Sequence, residues 1–339
     1  MTSFSINVKS EKEDKRIPIA VASDVMFDIQ LLLTHIGESF ISAEFGSNDR
    51  PADPLTERFT LYIDPESGGI SFRTSPGGGQ SALTDKAMKM LVTVLERMGS
   101  GSGTYWMEDT FDDPCYRSMI LYDLIRLSEH VSAERGYTLM FGSDGAGTKF
   151  TPMDVEKAKT FLEKNSRSAQ GSVAGILNSV VSKRNVPVYG FTVGNEKVKI
   201  SFRRDRENDA SKYANHPVTV KGTLKYSVNG ELQEVSDVVS VEPFDKKAFA
   251  HMISAERDIP LAKPLEASVS YDNNTATWKL SYPDLGISVT DNEWDAAVAK
   301  FHDYFVFLFD NYSSKDDNGS SEEEKEVKAS LNSLTMKAE

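Results

Sequence analysis

The stretch Val218–Val241, VTVKGTLKYSVNGELQEVSDVVSV, carries the clearest strand signal in the chain. Apolar and polar residues alternate along Val218–Tyr226, as in a half-buried strand with one wet face. Asn229-Gly230 separates Tyr226–Val228 from Leu232–Val235, and this dipeptide suits a two-residue hairpin turn because both residues accept positive φ. Val186–Phe202 has the same Val-, Tyr-, Phe- and Thr-rich texture at period two. Glu266–Tyr271 and Thr275–Tyr282 flank Asp272-Asn273-Asn274, a further tight hairpin. Lys246–Ser254 reads as a short helix and Pro260–Pro264 as a linker-like stretch. The middle of the chain is therefore β-rich, and a small barrel is one way of closing its edges.

A final helix closes this region. Asp291 is placed to cap Glu293–Asn311, whose face holds Trp294, Phe301, Tyr304, Phe305, Leu308 and Phe309. Aromatic side chains bury roughly 150–250 Å² each, so this face needs a partner surface. Trp294, Phe301 and Phe305 are thus core residues or interface residues. The hairpin just upstream, through Ala267, Val269 and Tyr271, favours the core. Ser313–Glu339 is polar and acidic and reads as a disordered tail, with a nascent helix at Glu322–Leu331.

The N-terminal half has a different texture. Phe4–Val8 alternates as a strand, and Ile17–Val21 suggests a second, with Pro18 at its end. Val25, Ile29, Leu32, Leu33, Ile36 and Phe40 repeat at helical spacing, so Asp24–Glu44 is an amphipathic helix with Glu38 and Glu44 on its wet face. Phe59–Ile63 and Ile70–Arg73 form a hairpin around Asp64–Gly69. Helices follow from Thr84 to about Met98 and over Arg117–Ala133, then a strand over Tyr137–Phe141. Met153–Lys164 and Ser172–Lys183 read as two further helices. The expected architecture is α+β, short antiparallel hairpins with packed helices: residues 1–183 as an N-terminal domain, 184–312 as a β-rich domain closed by the aromatic helix, and 313–339 as the tail.

Composition narrows the chemistry. The 339 residues carry 38 Lys+Arg against 51 Asp+Glu, a net charge of -13. That balance disfavours general affinity for phosphate backbones and leaves room only for a local basic groove. The single Cys115 forms no internal disulfide, Met1–Lys15 has no charged-then-apolar leader, and no apolar run in the sequence approaches a bilayer's thickness. The expectation is a cytoplasmic protein with no membrane partner.

Four constellations carry candidate chemistry. Gly142–Lys149 (GSDGAGTK) approaches a phosphate loop, but its last two residues invert the required Lys-Ser/Thr order, which points to a plain connecting loop. Glu108, Asp109, Asp112 and Asp113 place four carboxylates in six positions, a candidate divalent-metal or proton-sharing cluster. They lack the turning glycine of a calcium loop, and the two aspartates before Pro114 read as helix-start residues. Cys115, His35, His130, His216, His251 and His302 match no catalytic or metal-ligand spacing, so neither metal nor cofactor is expected. Arg203, Arg204 and Arg206 follow the strand ending at Phe202 and join Lys197, Lys199, Lys212, Tyr213 and His216 in a basic, aromatic-flanked stretch that suits single-stranded phosphates if the region is a barrel. The leading expectation is a binding or regulatory protein working through an unidentified protein partner or self-association. The alternatives are a metal-dependent hydrolase built on Glu108–Asp113 and single-stranded nucleic-acid binding by the β-rich domain.

Overall fold

A computed structural model describes residues 4–13, 16–45, 56–65, 71–76, 82–99, 106–142, 148–156, 158–159, 168–181, 187–194, 196–202, 211–226, 231–254, 257–314 and 321–335. The chain forms two compact units. One comprises residues 1–40 and 51–167, the other 41–50 and 168–339.

The first unit holds strands β1 (Phe4–Ser10), β2 (Leu61–Pro65), β3 (Ser71–Pro76), β4 (Tyr137–Gly142) and β5 (Thr148–Lys149) in one sheet of order β2-β3-β1-β4-β5, antiparallel throughout. Its helices are most of α1 (Ile19–Phe45), α2 (Ala82–Gly99), the single turn α3 (Trp106–Thr110) and α4 (Pro114–His130). Val25, Ile29, Leu32, Leu33 and Ile36 of α1 are wholly buried, one stripe at the 3.6-residue repeat. Gly37 is required there, since a Cβ would lie 2.4 Å from the Phe59 ring. Gln30 fixes the chain beyond it by donating to the Phe59 carbonyl at 3.0 Å and accepting from the Leu61 N–H at 2.7 Å. Pro114 opens α4, a position where its missing N–H removes no helical bond.

Three expectations change here. Ile19–Val21 belongs to α1 rather than to a strand. Glu38 and Glu44 are buried, not on a wet face. In length and composition α1 is also apolar enough to cross a membrane, with a mean hydropathy of 1.5 over 18 residues, although its stripe lies inside this unit's core. Half of the expected helix Met153–Lys164 falls outside the described residues; in the other half residues 155–156 and 158–159 are helical, and the Ala158 N–H bonds the Asp154 carbonyl at 2.9 Å.

The second unit begins its β-structure with β6 (Ser168–Val181), β7 (Pro187–Val193), β8 (Glu196–Ile200), β9 (His216–Tyr226) and β10 (Leu232–Pro243). These close into a barrel of order β10-β8-β7-β6-β9, with β9 pairing back to β10. All pairings are antiparallel except β8 with β10, which run parallel. The first three strands meander, the fourth returns to the first, and the fifth closes the gap between fourth and third. This is the five-stranded Greek-key barrel of OB type. Leu177, Phe191, Val198, Val220, Leu224 and Val235 fill it. Gly175 and Gly222 permit close strand approach, because a Cβ would lie 2.4 Å from the Thr192 carbonyl oxygen and 2.7 Å from that of Ser236 respectively. Ser172–Val181 is therefore strand, not the expected helix.

The same unit continues as an antiparallel meander, β11 (Lys246–Ile253), β12 (Asp258–Asp272), β13 (Thr277–Tyr282) and β14 (Ile287–Asp291), followed by helix α5 (Trp294–Tyr312). The expected helix at Lys246–Ser254 is β11, and Pro260–Pro264 lies inside β12. Trp294, Phe301, Phe305 and Leu308 pack into this sheet's core with Phe249, Trp278 and Leu280. Phe249 stacks on Phe301 at 5.3 Å, and the Trp278 and Trp294 rings meet at 5.0 Å. Tyr304 does not share that face and is 44% exposed. Where the sequence suggests a disordered tail, helix α6 (Glu322–Leu334) forms behind a capping box of Ser321 and Glu324. It places Leu331 and Leu334 in the same core, and Thr335 bridges Leu261.

Candidate nucleic-acid interface

Strand alternation fixes what the barrel shows to solvent. Phe191 and Val198 pair across β7 and β8 and point inward, so their neighbours Thr192 and Lys197, also paired, point outward. Lys199 follows at the next outward position. On β9 the inward set is Val218, Val220, Leu224 and Tyr226, which leaves Thr219, Lys221, Thr223 and Lys225 outside. The barrel's aromatic residues Tyr189, Phe191 and Tyr226 share the inward parity, and the Tyr189 ring meets Phe202 edge-on at 5.5 Å.

The outer residues are tied into rows. Gln170 donates to the Thr223 hydroxyl at 2.8 Å, and Asn178 donates to that of Thr192 at 2.9 Å. Glu234 on β10 stands between two lysines, because its register partners are Lys199 on β8 and Lys225 on β9. Its two carboxylate oxygens lie 3.1 Å from the Lys199 and Lys225 ammonium groups. The hydrogen bonds from Lys199 and Lys225 hold its carboxyl below the usual range. Residues 168–243 carry ten Lys and Arg against eight Asp and Glu, a net of +2 in a chain of net -13.

Of the residues singled out from sequence, Lys197 and Lys199 stand on this surface. Lys212 and His216 are exposed and Tyr213 is half-buried, while Arg203, Arg204 and Arg206 lie outside the described residues. The surface adds Lys221, Lys225, Glu234, Gln170 and Thr223. The first, second and last of these were legible, since period two along Val218–Tyr226 already sets Lys221, Thr223 and Lys225 on the wet face.

The carboxylate cluster has a structural explanation for one member. Asp113 caps α4, accepting from the Cys115 N–H at 2.8 Å, and burial raises its carboxyl to about 6 against that bond. Glu108, Asp109 and Asp112 are exposed. Among the described residues no group of three or more His, Cys, Asp or Glu side chains is arranged to hold a metal ion. In the near-phosphate loop, residues 143–147 lie outside the description. Thr148–Lys149 forms the edge strand β5, with Lys149 3.6 Å from Glu11.

The first unit contains a second polar assembly. Asp28 of α1, fully buried, lies 2.9 Å from the Arg126 guanidinium and 3.4 Å from His130 Nε2 on α4. His35 Nδ1 and Asp123 are 2.6 Å apart. Burial raises Asp28 to about 6 although Arg126 opposes it, and burial raises Asp123 against its bond with His35. These residues lock α1 to α4 within that unit.

The final helix supplies the last candidates. Trp294, Phe301 and Phe305 belong to the core, and the rings left in solvent are Tyr304 and Phe307, 6.3 Å apart. No protein-family model, curated protein or solved structure matches this chain.

Proposed function

We propose that the barrel of the second unit binds single-stranded nucleic acid along its outer surface, reading the phosphate backbone rather than the bases. The observation that supports this most is the charge reversal: a net-basic, closed five-stranded barrel within an acidic chain, with Lys197, Lys199, Lys221 and Lys225 on its outer side. Barrels of this connectivity use the surface of their second and third strands, here β7 and β8, for oligonucleotides and oligosaccharides, an argument from fold analogy. The lysines select the anionic ligand of the two. The inward parity of Tyr189, Phe191 and Tyr226 leaves the outer face without their rings, so affinity rests on charge and falls steeply with salt.

Fluorescence anisotropy with labelled oligo-dT and oligo-U of about 16 nucleotides tests the reading. The paired substitution K197E/K199E is expected to weaken binding at least about tenfold at low salt, because two phosphate contacts become repulsive. Equal affinity of wild type and variant would overturn it. A second reading, a protein-binding surface, is favoured by Tyr304 and Phe307, the latter 58% exposed on α5. Sedimentation of wild type and F307S separates the two readings, since only a self-association seam would lose mass on this change.

A further inference from the structure

We infer that Glu234 sets the affinity of this surface by occupying, with its own carboxylate, the place of a phosphodiester between Lys199 and Lys225. The inference rests on the barrel reading above and concerns the same surface.

The geometry carries it. Glu234 lies on β10, and its register partners on the two flanking strands are the two lysines. Each carboxylate oxygen faces a different ammonium group at the same 3.1 Å. A phosphodiester offers the same pattern: one negative charge shared by two non-bridging oxygens. The ammonium groups remain open to an incoming ligand, with the Lys199 side chain 73% exposed and that of Lys225 47%. The Glu234 side chain between them is 20% exposed and so forms the floor of the pair. Exposed ion pairs of this kind hold the fold only weakly and exchange partners readily. A strand that takes both lysines must release Glu234 and then lie against its charge. The carboxylate therefore orients the lysines before binding and lowers affinity when binding occurs. Phosphate contacts at Lys197 and Lys221, which no such floor opposes in the described residues, then govern where a strand first settles.

The test compares full-length wild type, E234Q and E266Q. Glu266 provides the control, because it forms an exposed pair with Lys246 at 3.5 Å on β11–β12 and its loss changes net charge equally. Anisotropy with labelled oligo-dT and oligo-U is measured from about 20 to about 200 mM NaCl, together with competition by inorganic phosphate. E234Q is expected to bind about three- to tenfold more tightly than wild type, with a salt slope steeper by about 0.7 per added phosphate contact. E266Q is expected to match wild type within about twofold, since its charge lies away from the surface and is screened. E234Q binding no tighter than wild type, or E266Q tightening it equally, overturns the role of Glu234 and leaves the barrel reading standing. Binding by E234Q alone supports the role. Absence of binding by all three at the lowest salt overturns the barrel reading itself. Inorganic phosphate at low millimolar concentration displacing the oligonucleotide completely would assign the clamp to free phosphate and overturn the strand as its ligand. Retention of the wild-type melting temperature by E234Q confirms that its affinity change is local.

Discussion

The two units bury polar groups by opposite means. In the first, Asp28, Arg126, His130, His35 and Asp123 form charged or charge-assisted pairs between α1 and α4. In the second, His302 of α5 is wholly buried and neutral. Its Nδ1 accepts the Ile253 N–H at 2.8 Å, its face stacks on Phe45 at 5.0 Å, and Phe249 meets it edge-on. Burial drives its pKa from 6.5 down to about 3, with Lys247 and His251 adding to the effect. The first arrangement keeps its charges by pairing them, and the second discards the charge and keeps one hydrogen bond.

The largest effect should come from the aromatic side of this contrast. F301A removes a fully buried ring from the β11–β14 core and is expected to cost about 3–5 kcal/mol. Urea unfolding followed by tryptophan fluorescence reads it, with Trp278 and Trp294 as reporters in that core; a loss below 1 kcal/mol, on the scale of an exposed site, would break the assignment. L331A is next, at about 2–4 kcal/mol, because this side chain of α6 is fully buried. An unchanged melting temperature would return α6 to the status of a tail. The third concerns acid. Below pH 6.5 the unfolded chain protonates His302 while the folded chain resists until about 3, so stability is lost as pH falls. Between pH 6.5 and pH 5 the loss is about 2 kcal/mol, and H302F should flatten that slope. The smallest belongs to the first unit. R126M keeps the packing on Phe27 but leaves Asp28 without its guanidinium, at a cost of about 1 kcal/mol near neutrality for a partly exposed partner. Asp28 has a raised pKa in the folded state, so its contribution to stability is greatest when protonated and declines as pH rises through about 6. The gap between R126M and wild type should therefore narrow on acidification, the reverse of the His302 effect.

Several elements were legible from sequence, and the failures have physical causes. The β9–β10 hairpin and the meander β12–β13 follow period two because each has one apolar face. The sequence of β6 resembles a helix because the strand is buried on both sides: Val173, Gly175 and Leu177 line the barrel, while Ile176 points outward into the core of the β11–β14 sheet. That erases alternation and leaves an apolar run. β11 deceives differently. A bulge between Phe249 and His251 shifts the register, so Phe249, Met252 and Ile253 fall inward at a spacing that mimics a helix turn. Pro260 and Pro264 are tolerated in β12 because β13 pairs only with Ser268–Asp272. The capping box Ser321–Glu324 stands in plain view, but the helix behind it is anchored by few apolar side chains, Leu331 and Leu334 with Val327 partly buried beside them, too few to outweigh its acidic composition. Of the candidate site, Lys197 and Lys199 were readable. The approach of Lys199 to Glu234 is not, since it depends on the parallel pairing of β8 with β10, two strands that β9 separates in the chain.

The burial of Glu44 gives the second unit a timetable. This carboxylate accepts the N–H groups of Ala250 and His251, more than 200 positions later, at 2.7 and 3.0 Å. Phe45 likewise offers its carbonyl to the indole of Trp294 at 2.9 Å. Residues 41–45 are thus made early on the ribosome and find their partners only after residues 51–167 and the barrel have emerged. At roughly 5–20 residues per second, Glu44 waits on the order of ten seconds or more for its donors. Until then the helix end carrying Phe45 lacks the Trp294 and His302 side chains that meet it in the folded chain. Contacts of such sequence separation are slow to form, so the closure of this end of α1 onto β11 and α5 should set the pace at which the second unit is completed.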